Sequence, residues 1–234
     1  MIDIYIINSG KNNFEHMKKV YSNPNLNIIQ SNVDKLANFK PTFLCRNFLC
    51  SKKIIDHSLS HINLWLSLQK SSENIFIILE DSIESINTEY LILIYEYLQN
   101  NIFDWDLINL TSPTFDLINN NNLNLLNQTK NINKELKLIK TYESSSTKGY
   151  IISKNGLNKL IKIFNINQIN WNIDWMINLY RYIENINYYC VNQNIINIQS
   201  TIDESYHNNI TFFILKKLKQ NKIINFLNKT LNLI

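Results

Sequence analysis

Glycine is nearly missing from this 234-residue chain: there are only Gly10, Gly149 and Gly156, with three prolines beside them. That scarcity excludes collagen-like chains and the glycine-rich phosphate loops, both the P-loop and the G-x-G-x-x-G turn. Arginine is scarcer still, with Arg46 and Arg181 alone. A nucleic-acid surface puts its basic excess on the folded body and uses arginine forks for phosphate, so nucleic acid is not an expected partner. The three cysteines, Cys45, Cys50 and Cys190, are an odd number in a chain too long to need staples. They point to a reduced compartment, and Cys45 and Cys50 have no second pair to make a zinc site. No apolar run approaches the roughly 18 residues of a membrane span. The opening Met1-Ile2-Asp3-Ile4-Tyr5 lacks the basic start and long apolar stretch of a signal peptide. A cytoplasmic location is the expectation.

What the chain has is enough apolar matter for a core: 45% hydrophobic and 12% aromatic residues, against wholesale disorder. Asparagine is the commonest residue, at 41 copies, which together with the abundant Ile and Lys looks like an AT-rich coding bias. Net charge is +4, from 23 basic and 19 acidic residues. The excess is local. Thr211–Ile234 holds Lys216, Lys217, Lys219, Lys222 and Lys229 and no acid, and removing these five from the 23 leaves 18 basic against 19 acidic.

Short β-rich runs alternate with helical patterns. Ile2–Ile7 and Asn27–Gln30 read as strands, with a polar helix over Asn12–Tyr21 between them. From Ile54 to Lys70 the apolar Ile55, Leu59, Ile62 and Leu66 recur as one helix face requires. Ile75–Leu79 is a continuous apolar run, the mark of a strand buried on both faces. A helix over Asn87–Gln99 and a strand over Asp106–Leu110 come next; Asn119–Lys134 is low in complexity and reads as a mobile loop. Gly149–Ser153 reads as a strand, Asn155–Phe164 as a helix and Tyr188–Gln199 as one or two strands. This alternation predicts a single α/β domain with a mostly parallel central sheet over residues 1–205, and a basic helical appendage over 206–234. Such sheets bind ligands beyond the carboxyl ends of their strands.

Glu80-Asp81 is the most informative pair. Two carboxylates after a buried strand cannot stay in a core without partners, and they are expected to emerge at the strand's carboxyl end. Hard oxygen ligands there suit Mg²⁺ or Mn²⁺, and Glu84 could add a third carboxylate. The plainer reading is a solvated loop with a helix N-cap at Ser82. His57 and His61, four apart, share a helix face and form a metal pair without a clear third ligand; hydrogen-bonding histidines are the favoured reading. Asp174 reads by itself as a helix N-cap. Gly149 precedes an apolar strand, where a missing Cβ allows close approach of backbone or ligand.

Five segments in order, Ser60-His61-Ile62-Asn63-Leu64-Trp65, Ile77-Ile78-Leu79-Glu80-Asp81, Asp106-Leu107-Ile108-Asn109-Leu110, Thr147 to Lys154 and Ile173-Asp174, resemble glycosyltransferase family 25. That family holds bacterial lipooligosaccharide galactosyltransferases and the collagen galactosyltransferases. The resemblance covers roughly residues 2–205, and Ile4-Tyr5-Ile6-Ile7-Asn8 also looks like the family's first strand. It implies a GT-A-like (Rossmann-like) fold, a UDP-sugar donor, a glycan or hydroxylated acceptor, inversion at the anomeric carbon and a divalent cation, Mn²⁺ or Mg²⁺. Carried onto this chain, Glu80, Asp81 and Glu84 become the metal candidates. Asp174 and Asp81 become the catalytic candidates, Asp174 beside the reacting hydroxyl. Asn8, Ser60, His61, Gly149 and Tyr150 become the binding residues. The family usually reads Glu-Asp-Asp where this chain has Ser82 in third place. Hence two expectations: a hexosyltransferase using UDP-galactose or UDP-glucose, or a silent relative that binds a nucleotide sugar or glycan. The lysine-rich helix is read either as a solvated surface helix or as a peripheral membrane contact.

Overall fold

A computed structural model of the protein describes residues 1–7, 13–21, 23–31, 52–112, 129–140, 146–167, 173–174, 176–177 and 185–198. All of them belong to one compact unit, Met1–Ile198. Asn8, Cys45, Arg46, Cys50, Arg181 and the basic helix expected over 206–234 lie outside the described residues.

The elements run β1 (Ile2–Ile7), α1 (Asn13–Val20), β2 (Leu26–Gln30), α2 (Lys52–Leu68), β3 (Ile75–Glu80), β4 (Ile83–Ile86) and α3 (Thr88–Asn100). Then come β5 (Leu107–Asn109), β6 (Thr129–Asn131), β7 (Lys137–Lys140), β8 (Gly149–Ser153), α4 (Lys154–Asn167), β9 (Tyr188–Val191) and β10 (Ile196–Ile198). Eight strands form one sheet in the order β2-β1-β3-β8-β5-β9-β7-β6, and β10 pairs with β4 in a small second ladder. The β1–β2, β1–β3 and β5–β9 pairings are parallel, whereas β8 runs antiparallel to both β3 and β5, and β7 to both β9 and β6. Six strands therefore share one direction and two oppose it. The α/β class with a largely parallel central sheet is what the alternation predicts; the reversed β8 is not.

Strand alternation assigns the two faces. Ile4 and Ile6 of β1, with Ile77 and Leu79 of β3, pack against Phe14 and Met17 of α1 and Leu91, Ile94 and Leu98 of α3. Phe76 and Ile78 of β3, with Tyr150 and Ile152 of β8, pack against Ile62, Trp65 and Leu68 of α2 and Leu157, Leu160 and Phe164 of α4. The result is three layers, helix on sheet on helix. Among the described residues no helix is long and apolar enough to cross a membrane.

The reversal of β8 brings the residues that precede it to the edge where β3 and β5 end. Glu80 N–H bonds the Lys148 carbonyl there at 2.7 Å, and Leu110 N–H bonds the Gly149 carbonyl at 3.0 Å. Asp106, fully buried before β5, holds the start of α4. It accepts from Lys159 Nζ (2.6 Å), Asn155 Nδ2 (2.9 Å) and the Asn187 backbone N–H (2.8 Å). Here α4 rides directly on backbone, for a Cβ at Gly156 would sit 2.2 Å from the Asp106 carbonyl oxygen. Because backbone cannot step aside as a side chain can, Gly156→Ala is expected to cost about 1–3 kcal/mol or more. Urea denaturation checks it, and a change under about 0.5 kcal/mol, the scale of a neutral surface substitution, would show that the helix shifts freely.

Candidate functional site

Glu80 is the last residue of β3 and shares its parity with Phe76 and Ile78, so its side chain turns to the α2 side of the sheet. It does not emerge into solvent, being only 6% exposed. It stays inside because it has partners. Oε1 meets His57 Nε2 at 2.9 Å, His61 Nε2 at 3.4 Å and the Thr147 hydroxyl at 2.9 Å, and Oε2 lies 3.5 Å from Lys148 Nζ. Burial alone would raise this carboxyl's pKa, but the two imidazoles outweigh it and hold Glu80 well below the usual range. Burial also opposes a charge on His57, yet the bond to Glu80 and its negative charge win and raise the His57 pKa.

His61 is fully enclosed, and burial pushes its pKa down to about 4. A neutral imidazole carries one N–H, and its neighbours fix where. Trp65 Nε1–H donates to the Tyr150 hydroxyl at 2.8 Å, and that hydroxyl lies 2.9 Å from His61 Nδ1. Burial drives the Tyr150 pKa far up, so the phenol keeps its proton. With its oxygen taken by Trp65, Tyr150 donates to Nδ1, and His61 Nε2–H is left to donate to Glu80. The chain Trp65, Tyr150, His61, Glu80 is thus satisfied at every link.

Thr147 joins this chain to a second carboxylate. Its backbone N–H donates to Asp174 Oδ1 at 2.7 Å while its hydroxyl donates to Glu80. Burial first, then the charge of Glu80, raises the Asp174 pKa above the ordinary 3.8 for aspartate, with the Thr147 bond opposing. Asp174 lines a small cleft with Leu107, Ser146, Thr147, Tyr150 and Tyr188. Asn109, at the end of β5, holds two of these lining residues by donating through Nδ2 to the Ser146 carbonyl (2.7 Å) and the Tyr188 hydroxyl (2.9 Å).

The structure sorts the sequence candidates. His61, Glu80, Tyr150 and Asp174 come together. Ser60 does not face them, its hydroxyl bonding the Asp56 carbonyl one turn back at 2.9 Å. Gly149 lies on the opposite face of β8 from Tyr150, where an added Cβ would meet Ile196 Cδ1 at 2.7 Å and Leu79 Cδ2 at 3.0 Å. Its missing Cβ makes room for core side chains. Asp81 sits in the turn after β3, its N–H on the Ile7 carbonyl at 3.1 Å. Glu84 is exposed on β4, so a strand follows Ser82 where a helix N-cap is one expectation. The Ser82 hydroxyl is buried without a hydrogen-bond partner among the described residues.

Glu80, Asp81 and Glu84 therefore do not gather into one all-oxygen cradle, and as a set they do not fit Mg²⁺ or Mn²⁺. The group that does gather, and that could hold a metal, is His57, His61 and Glu80, whose ligand atoms lie within 4.8 Å of one another. Helical spacing marks the histidine pair but gives no sign that Glu80 is its third partner. Thr147 and Lys148 carry no signal in the sequence beyond their place just before Gly149-Tyr150.

Comparison with known proteins finds no matching family model and no matching curated protein. What fold and site define is an α/β protein with a buried His–Glu–Tyr network and a second, raised-pKa carboxylate at one end of its sheet.

Proposed function

We propose that the protein is a hexosyltransferase that moves galactose or glucose from a UDP-sugar to a hydroxyl of a glycan or other hydroxylated acceptor, with inversion. One observation carries this reading. The five segments that resemble glycosyltransferase family 25 are scattered over more than 110 residues of chain, yet they meet at one site: His61 and Trp65, Glu80, Leu107 and Asn109, Thr147 and Tyr150, and Asp174. That convergence supports the reading.

In this reading Asp174 is the base. It takes the proton of the acceptor hydroxyl as that oxygen attacks the anomeric carbon, and the carbon–oxygen bond to the diphosphate breaks with its electron pair on the leaving group. Lys148 carries positive charge at the same edge, and Thr147 fixes Asp174 through its backbone. Asp81, next to Glu80, stays on the donor side of the proposal. The Mn²⁺ or Mg²⁺ dependence implied by the resemblance enters only as a variable to be tested.

Thermal melting against UDP, UDP-galactose, UDP-glucose and unrelated nucleotides, with and without Mn²⁺, tests the reading without a known acceptor. A ligand at about 100 times its Kd adds about 2.7 kcal/mol to the folded state. The expected result is a selective rise with UDP or one UDP-sugar. No rise with any nucleotide would overturn it. The scattered carboxylates and the unpartnered Ser82 hydroxyl favour one alternative, a silent relative that binds the nucleotide sugar; its signature is the melting shift without release of UDP.

A further inference from the structure

We propose that His57, His61 and Glu80 form a binding site for a single borderline transition-metal ion of the Zn²⁺ or Co²⁺ class. The proposal differs from the Mn²⁺ or Mg²⁺ expectation in both ligands and ion. Two imidazoles and one carboxylate are the donor set that suits ions of this class, while Mg²⁺ prefers oxygen alone.

The geometry comes from two rigid elements. His57 and His61 stand one turn apart on α2, with ring centroids 4.9 Å apart, and Glu80 reaches them from the end of β3. Both Nε2 atoms converge on the same oxygen, at 2.9 and 3.4 Å. Ligand atoms about 2.0–2.1 Å from a tetrahedral ion stand about 3.4 Å apart, so small side-chain rotations bring the three donors to bonding positions. His61 and Glu80 are enclosed, with side chains 0% and 7% exposed, while His57 is 30% exposed. An ion therefore enters past His57, and that side leaves a position for water or a substrate oxygen.

The surroundings supply the outer support that such sites use. An ion on His61 Nε2 requires the other tautomer: the ring's one proton moves from Nε2 to Nδ1, which then donates to the Tyr150 oxygen 2.9 Å away, while the Tyr150 O–H turns its own proton away from the ring. Trp65 Nε1 holds that oxygen in place at 2.8 Å. Hydrogen bonds of this kind fix a ligand ring's orientation and strengthen binding by about 10- to 100-fold.

The test uses the full chain stripped with a chelator, with the metal alone as probe. Co²⁺ is added without nucleotide, its visible absorption followed, and Zn²⁺ binding measured by calorimetry. One equivalent should bind, with the intense absorption of low-coordinate Co²⁺. His57→Ala, at a partly exposed helix position, should lose at least tenfold in affinity while still melting as one cooperative transition; Glu84→Gln should bind as the parent does. Absence of a stoichiometric site would overturn the proposal. So would a His57→Ala protein that binds as tightly as the parent, or a site lost with Glu84→Gln instead. Nucleotide shifts do not enter, so this site and the transferase reading stand or fall separately.

Discussion

Glu80→Ala is expected to remove about 3–5 kcal/mol of stability, as breaking one side of a buried ionic cluster does. The loss is larger than the carboxylate's own contacts suggest because of what remains. His57 Nε2, His61 Nε2–H, the Thr147 hydroxyl and Lys148 Nζ all lose their acceptor at once. Two of them, the His61 N–H and the Thr147 hydroxyl, are buried, and each unpaired polar group left there costs about 1–3 kcal/mol. Glu80→Gln should cost less, because its amide oxygen can still take bonds from the two imidazoles and Thr147. Its NH₂ would face Lys148 Nζ, donor against donor. Urea denaturation of both variants in the presence of chelator measures the ordering Ala worse than Gln. In a double-mutant cycle, His57→Ala should cost clearly less in the Glu80→Ala background than in the parent. A Glu80→Ala protein within about 1 kcal/mol of the parent would mean that water reaches the cluster and that Glu80 is not the centre of this site.

The strength of that expectation rests on where Glu80 points, and the sequence already held half of the answer. The run Ile75–Leu79 marks a strand covered on both faces, and its period of two puts Glu80 with Phe76 and Ile78 and against Asp81. Adjacent carboxylates on a strand end diverge for that reason, which is why Glu80 and Asp81 do not act as a pair. The spacing of Ile55, Leu59, Ile62 and Leu66 equally marked α2, and with it the shared face of His57 and His61. What periodicity cannot supply is which helix face meets which strand end. That depends on long-range packing, and on the reversal of β8, which alone carries Thr147 and Lys148 to Glu80. The strand β4 was hidden for a similar reason. Ile83-Glu84-Ser85-Ile86 is four residues long and owes its pairing to β10, more than a hundred residues away. Thr129–Asn131 likewise forms β6 inside a stretch whose asparagine-rich composition reads as loop, because β7 is there to pair with it.

Asp174→Asn is expected to lower turnover by about 10²–10⁴-fold, the usual worth of a positioned general base. The substitution is chosen to spare the fold. Asparagine keeps the oxygen that accepts from the Thr147 backbone N–H, so the loop before β8 retains its tie to residues 173–174. What it removes is the basic carboxylate, and here the environment makes that carboxylate a better base than an ordinary aspartate. Burial and the neighbouring charge of Glu80 both raise its pKa above 3.8, and a stronger base takes a hydroxyl proton more readily. Asp174 works deprotonated, so kcat/KM should be full at neutral pH and fall as pH drops through the raised pKa, earlier than a solvated aspartate would allow. The residual activity of Asp174→Asn should lack that acid limb. Release of UDP from UDP-galactose or UDP-glucose, measured from about pH 4 to about pH 8, reads both effects over the range in which the protein stays folded. Asp174→Ser or Asp174→Ala would cut the Thr147 tie as well, and comparison with Asp174→Asn separates positioning from proton transfer. An Asp174→Asn enzyme within about tenfold of the parent, with its acid limb intact, would remove Asp174 from the chemistry. Among the described residues, the carboxylate that Thr147 ties to Asp174 is Glu80. Glu80, held well below the usual carboxylate range by two imidazoles, is too weak a base for that role.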